Sequence, residues 1–524
     1  MTLSAPPMPP PRSATRWERL AEWGVSSIAR TRALGWLAPL FVTLLAAALR
    51  LTNLGHPHEI MFDETYYVKD AWSLWNLGYE GKWGDGADEQ LPRGDDSAMQ
   101  TAGSYVVHPP LGKWIIALGM ALMGPGSSAG WRLTTAILGS LTVLVLYLVA
   151  LHLTRSRVFA TIAAGLLAID GLGIVMSRIA LLDGALTFFI VLGFFFVLLD
   201  RDRSLPLLDA RIVAARRSAP DDRPLRLIGP VLWSRPWLIA AGATLGAASA
   251  VKWSGLYALA VFGLYAVVTD ALARRRAGIP LWPSDAVLRQ GPVSFALMVG
   301  PAMFTYLVSW TGWLITTGGY DRAADANPLV ALWKYHESMY GFHIGLSSAH
   351  AYASPAWQWP LLLRPTAIWV GSDPTGCGTD HCIAVISSVP NPLIWYGGVA
   401  AALYLLYRFV RGLIERRPVG PMHTIALVGL VATYVPWLLV PSRTIFQFYT
   451  IVMMPFLILA LVVALRELAG RPCAPTHRRT AGQRTVAVYL VMVVLVSAFF
   501  YPVWTGMSVP YPFWLIHNWL PGWI

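Results

Sequence analysis

Two adjacent carboxylates, Asp63 and Glu64 in the stretch MFDETYYVKDAW, stand shortly after an apolar run that ends near Leu51. A carboxylate so placed can take the proton of a hydroxyl as that hydroxyl attacks an electrophilic carbon. Other ionisable residues sit at the ends of this and later apolar runs: Arg50, Arg132, Arg178 and Asp183 in SRIALLDG, Lys252 in KWSG and Arg443 in SRTIFQFY. Charge at membrane depth is costly and normally faces a partner or a cavity. Any one of these side chains could simply snorkel to the headgroups. Gathered on one side, they describe an anion-binding site beside a base, suited to expelling a phosphate leaving group whose growing charge is met by cations.

In a helix opening near Phe62, Asp63, Tyr67 and Asp70 share one face. An N-cap role accounts for one carboxylate of the pair, but not for both so close to the first apolar run. In VHPPLGKWIIALGMALMGPG, His108 precedes a proline and is pushed out of helical geometry, while Pro110 can open a helix. The helix start, with His108 and Lys113 nearby, is a candidate anion site. Taken alone, His108 reads equally as a structural histidine beside a turn.

The elements that must position these residues are membrane spans. The chain has 524 residues, 56% of them hydrophobic and 13% charged, with mean hydropathy +0.52. That is too little polar surface for a water-soluble globule of this size. Windows long enough to cross a bilayer fall at about 34–52, 130–151, 158–176, 180–199, 237–251, 253–271, 291–311, 391–409, 422–440, 447–465 and 486–504, or about eleven spans. The run at 114–123 is too short to cross and reads as interfacial or re-entrant. Residues 1–33 read as a Pro-rich disordered cytoplasmic tail, 34–504 as the membrane domain, and 505–524 as an extracytoplasmic tail.

Most of the 40 Lys and Arg fall in the tail and the even-to-odd connections, which places the N-terminus in the cytoplasm and the C-terminus outside. The +12 net charge then meets anionic lipid headgroups and calls for no nucleic acid. Two outer segments are long, 53–129 and 312–390. The second holds Cys377 and Cys382 in CGTDHC, where an oxidising compartment favours a disulfide and the spacing matches no standard zinc site. Cys473 reads as cytoplasmic and free. His350, Trp357 and Trp359 could line an acceptor groove or sit as interfacial aromatics.

Taken together, FDETYY, HPPLGKW, SRIALLDG, KWSGLY and SRTIFQFY, in that order along the chain, resemble the protein O-mannosyltransferases, in the form found in actinobacteria. The resemblance implies an all-α integral membrane protein of the GT-C glycosyltransferase fold with interfacial helices on its outer face. It implies transfer of mannose from polyprenyl-phosphate-mannose to Ser or Thr of exported proteins, with inversion at the anomeric carbon. Asp63 is then the base. Glu64 orients the acceptor or pairs with Arg50 or Arg132. His108, Lys113, Arg178, Asp183, Lys252 and Arg443 bind the donor, supported by Tyr67 and Trp253. The segment 312–390 is too short for the β-trefoil MIR domain of eukaryotic members.

No cofactor is expected. A divalent ion on the acidic pair is the alternative, disfavoured because cations already meet the phosphate and two adjacent acids supply few of the oxygens Mg²⁺ prefers. The bilayer, the lipid-linked donor, exported acceptor proteins and the secretion translocon are the partners implied, in a bacterial plasma membrane. Two rivals remain: a secondary transporter, which should show internal repeats and midplane charges, and a sister enzyme moving a lipid-linked sugar onto lipid or cell-wall glycan.

Overall fold

The computed structural model describes residues 14–16, 18–19, 28–217, 227–417, 419–471 and 473–523. Every apolar window falls on helix: Ile28–Leu51, Ser128–Thr154, Arg157–Ile169, Leu182–Arg217, Pro236–Val251, Gly255–Arg276, Gly291–Ser309, Pro392–Ile414, Pro421–Thr433, Met454–Leu468 and Thr476–Thr505. Among the described residues, six helices are long and apolar enough to cross a membrane, and several shorter apolar helices accompany them. Local chemistry explains the shorter ones. The third window is broken at Asp170, whose extended backbone ends one helix while its carboxylate accepts from Gly173 N, 2.9 Å, and from Asn391 N, 2.9 Å. Pro436 and Pro455 interrupt the ninth and tenth windows, since proline has no N–H to continue a helix.

The spans pack closely where side chains are small. A Cβ on Gly242 or Gly246 would lie 2.1 Å from Met298 O or 2.4 Å from Ala302 O, so this Gly-x-x-x-Gly face lets the fifth and seventh spans touch through their backbones.

At the arginine-rich end, the fourth helix runs on to Arg217, well past the window that ends at 199. Leu208 and Ile212 bury there against Leu232, Ala273 and Ile279 in a small core of their own. Two arginines expected to meet lipid headgroups are instead buried in ion pairs: Arg235 with Asp200 and Asp270, and Arg274 with Asp285 at 2.7 Å. A buried guanidinium needs such partners to offset its lost hydration. The expected tail 1–33 lies partly outside the described residues. Within it, Arg19 N donates to Thr15 O at 3.0 Å, Thr15 and Glu18 cap each other reciprocally, and Glu18 reaches Arg479 at 3.0 Å.

The opposite end of the bundle carries the two long segments. The first contains helices Glu64–Leu77 and Leu111–Met123, packed on each other, and a hairpin of Gly81–Trp83 with Met99–Gly103. The second contains helix Pro328–Gly345, started by Asn327, which accepts from Leu329 N at 2.9 Å, with Pro328 behind it. A hairpin of Ala367–Val370 with Val385–Ser387 follows, and Cys377 and Cys382 are disulfide-bonded within its loop. Strand is confined, among the described residues, to three two-stranded antiparallel pairs, so no β-trefoil is present there.

Residues 505–523 are fastened to the second long segment and to the last span. Val509–Pro510 pair with Cys382–Ile383, His517 is buried and stacked on Phe499 at 3.9 Å, and Trp523 donates to Leu362 O at 2.7 Å. Trp359 likewise lines no groove: it is buried, donates to Ser354 O at 2.8 Å and packs on Trp437. Trp357 is exposed, and His350 lies exposed edge-on to Phe446 at 4.9 Å.

Candidate active site

Asp63 stands at the N-cap of helix Glu64–Leu77 with φ −70° and ψ −2°, and its side chain makes no capping bond. The cap reading is therefore not what occupies this carboxylate. Phe62, just before it, has φ +49°, a conformation unusual for a bulky residue, and is gripped edge-on by Phe446 at 6.1 Å and Phe448 at 5.6 Å. Strain of this kind gathers where backbone placement matters to function. Partial burial pushes the Asp63 carboxyl up to about 6, against the pull of Lys252 and with the help of Asp183.

Glu64 is the opposite case. It is fully buried, and Arg132 Nε and Ala180 N donate to Oε1 at 2.8 and 2.9 Å, while Arg132 Nη2 and Met61 N donate to Oε2 at 2.8 and 3.0 Å. Four donors fill both oxygens, so of the two roles expected for Glu64 the structure shows the pairing with Arg132, which makes it a structural clamp. Arg132 also donates to Pro57 O and Glu59 O at 2.8 and 2.9 Å, tying down the loop that carries Asp63.

The predicted cations divide into two groups. Lys252 lies where the fifth span ends in extended backbone. It donates to both oxygens of Asp183 at 3.0 Å and sits 4.2 Å from the Tyr449 ring centroid. Burial opposes its charge, but Asp183 holds its pKa above the ordinary value. Arg443 lies over Trp437 at 5.8 Å and donates through Nη2 to His343 Nδ1 at 3.1 Å, while its buried Nε has no partner among the described residues. His108 is similar: its ring stacks on His343 at 5.3 Å and approaches Tyr67 at 6.2 Å, its Nδ1 is buried and unpartnered, and burial with the cations Lys252, Lys113 and Arg443 keeps it neutral. Buried polar groups normally have a partner, so these two nitrogens are available to one.

Burial, joined by Asp63, Asp183, Tyr449 and Asp70, raises Tyr67 well above its usual value, which places it in the same field. Asp183, Leu186, Ile190, Tyr257, Trp437 and Tyr449 line a narrow cleft beside this cluster. Trp253 backs the cluster, stacked near His336 and His343 and donating to Tyr306 OH at 3.0 Å.

The other three cations are engaged elsewhere: Arg178 and Lys113, expected to meet the donor, and Arg50, expected as a support or as a partner of Glu64. Arg178 donates to the carbonyls of Arg50, Thr52 and Asn53 at 3.0, 2.6 and 3.0 Å, finishing the first span, whose last carbonyls have no helical partner. Arg50 pairs with no carboxylate. It donates to Leu167 O, Ala168 O and Ser177 Oγ at 3.0, 3.0 and 3.2 Å, so Arg132 alone pairs with Glu64. Lys113 is buried in an ion pair with Glu80 and donates to His108 O at 3.0 Å. Sequence reasoning missed His343 and Tyr449. His343, in the last turn of helix Pro328–Gly345, carries no local signal, whereas Tyr449 closes the quoted SRTIFQFY and could have been marked with Arg443.

The description "Dolichyl-phosphate-mannose-protein mannosyltransferase" matches residues 40–206, and "C-terminal four TMM region of protein-O-mannosyltransferase" matches 328–523. A polyprenol-phosphate-mannose–protein mannosyltransferase of Mycolicibacterium smegmatis is 34% identical over 94% of this chain and 93% of its own. This chain belongs to the protein O-mannosyltransferase family. Its relatives in Mycobacterium tuberculosis (33% identical, 93% of this chain, 92% of theirs) and Corynebacterium glutamicum (29%, 99%, 96%) bear the same name. The donor-bound Saccharomyces cerevisiae protein O-mannosyltransferase Pmt1–Pmt2 complex shares the fold, with TM-score 0.69 at 15% identity over 93% of this chain and 92% of that one. This protein O-mannosyltransferase thus has the GT-C fold. Asp63, His108 and Asp183 fall in the first matched region, His343 and Arg443 in the second, and Lys252 between the two.

Proposed function

We propose that this enzyme transfers mannose from polyprenyl-phosphate-mannose to Ser or Thr hydroxyls of exported proteins, with Asp63 as the base. The observation that carries the reading is the Asp63 carboxylate, which makes no capping bond and is held in the field of Lys252 and of Asp183, the latter lining a narrow cleft. The acceptor oxygen attacks the anomeric carbon as Asp63 receives its proton, and the bond from that carbon to the phosphate oxygen breaks on the opposite face, inverting the centre. Arg443, with its unpartnered Nε, meets the charge that develops on the lipid phosphate, with Lys252 beside it. His108, neutral and with a free ring nitrogen, is placed to bind a sugar hydroxyl. Incubating membranes with labelled polyprenyl-phosphate-mannose and a Thr-containing peptide should label the peptide. Label confined to lipid would favour the sister enzyme that glycosylates lipid or glycan.

The reaction needs no divalent ion on this reading. Glu64 has no free oxygen to share with Asp63, and no group of three or more metal-ligating side chains gathers among the described residues. Transfer should therefore survive excess EDTA, and loss of activity restored by Mg²⁺ or Mn²⁺ would contradict this.

The site end faces the outside of a bacterial plasma membrane, where exported chains emerge beside the translocon, and the arginine-rich end faces the cytoplasm. Cys473 is free and exposed near the arginine-rich end. A membrane-impermeant maleimide should label it only after cells are permeabilised, and labelling of intact cells would reverse the topology.

A further inference from the structure

We infer that His343 is a positioning residue that aims the Arg443 guanidinium at the donor phosphate. This rests on the donor-site reading of Arg443 given above. A guanidinium can only donate, so the 3.1 Å contact of Arg443 Nη2 with His343 Nδ1 assigns the lone pair to Nδ1 and the proton to Nε2. That Nε2–H points at Val107 O, 2.8 Å away. Both ring nitrogens are thereby committed, and the ring is held by stacking on His108 at 5.3 Å and by the tilted Trp253 ring at 5.5 Å. Arg443 is left with one nitrogen held by a neutral acceptor, its plane laid over Trp437 and its Nε unpaired. A planar fork fixed in this way loses less freedom when it grips an oxyanion.

A carboxylate in place of His343 would cancel the cation's charge; a neutral histidine orients it and leaves the charge available. Nor is His343 needed merely to fasten helix Pro328–Gly345 to the strand that leads to His108. Tyr335 OH already does that, accepting from Val106 N and donating to Val106 O at 2.9 Å each, and Tyr105 OH donates to Ser338 O at 3.1 Å.

Three variants of the full-length membrane enzyme separate the two contacts. Asn at this position presents an oxygen near Nδ1 and loses the Nε2 donor. Gln reaches the Nε2 position and loses the acceptor at Nδ1, and Ala loses both. Removing a hydrogen bond to a charged group predicts about a tenfold rise in the KM for polyprenyl-phosphate-mannose in His343→Ala. His343→Gln should match it and His343→Asn should recover most of the loss, with the peptide KM and the ligand-free melting temperature little changed. In an Arg443→Ala background, His343→Ala should cost nothing more. Rescue by Gln but not Asn, or a fall in melting temperature with an unchanged donor KM, would make His343 a mere fastener and overturn the inference. An Arg443→Ala enzyme with an ordinary donor KM would instead overturn the donor-site reading beneath it.

Discussion

Replacing Asp63 with Asn reduces mannosyl transfer by about 10²- to 10⁴-fold, the range general-base catalysis supplies, and leaves the protein folded and in the membrane. Asn keeps the size of the side chain and removes only its capacity to take a proton. Because the Asp63 side chain makes no capping bond, the helix it precedes loses nothing by the change. Transfer measured alongside the melting temperature checks both halves of the expectation, and near-normal transfer would remove Asp63 as the base.

The same residue sets the pH dependence. Burial raises the Asp63 carboxyl to about 6, partly countered by Lys252. The ionised form is the working base, so kcat/KM should rise with pH through about 6 and then level off. The free-enzyme profile of kcat/KM reports this group, and a profile flat from pH 5 to 8 would contradict the assignment.

The second large effect falls on the neighbouring carboxylate and is of a different kind. Arg132→Met or Glu64→Ala breaks a fully buried ion pair and leaves the surviving charge without a partner, at a cost of about 3–5 kcal/mol. Against a typical net stability of about 5–15 kcal/mol, that is a large fraction. Arg132→Met also removes the tether of the loop from Leu54 to Asp63, and Glu64→Ala leaves that tether's guanidinium without its carboxylate, so activity and melting temperature should fall together. Replacing both residues with apolar ones should recover part of the stability, because no stranded charge remains. Asp63→Asn and Glu64→Ala are thus one residue apart in sequence and separable by a single thermal melt. A Glu64→Ala protein with ordinary stability and no transfer would restore the role for Glu64 that its saturated oxygens argue against.

What the amino-acid sequence by itself determined follows from local composition. The spans could be placed because crossing a bilayer requires a run of apolar residues, whatever those residues later touch. The Asp63–Glu64 pair, the turn before His108 and the disulfide-bonded cysteines could be marked for similar reasons, since adjacent residues and prolines act on their own neighbourhood. Which charge meets which was decided only in three dimensions. Arg50, Lys113, Arg132, Arg178, Lys252 and Arg443 look alike in sequence, each a cation near the end of an apolar run. The fold gives Arg132 to a carboxylate 68 residues away, Arg178 to carbonyls more than a hundred residues earlier and Lys113 to Glu80, leaving Lys252 beside Asp63 and Arg443 with an unpaired Nε. A buried charge settles on whatever partners surround it once the helices have packed, and that set of neighbours exists only in the folded chain.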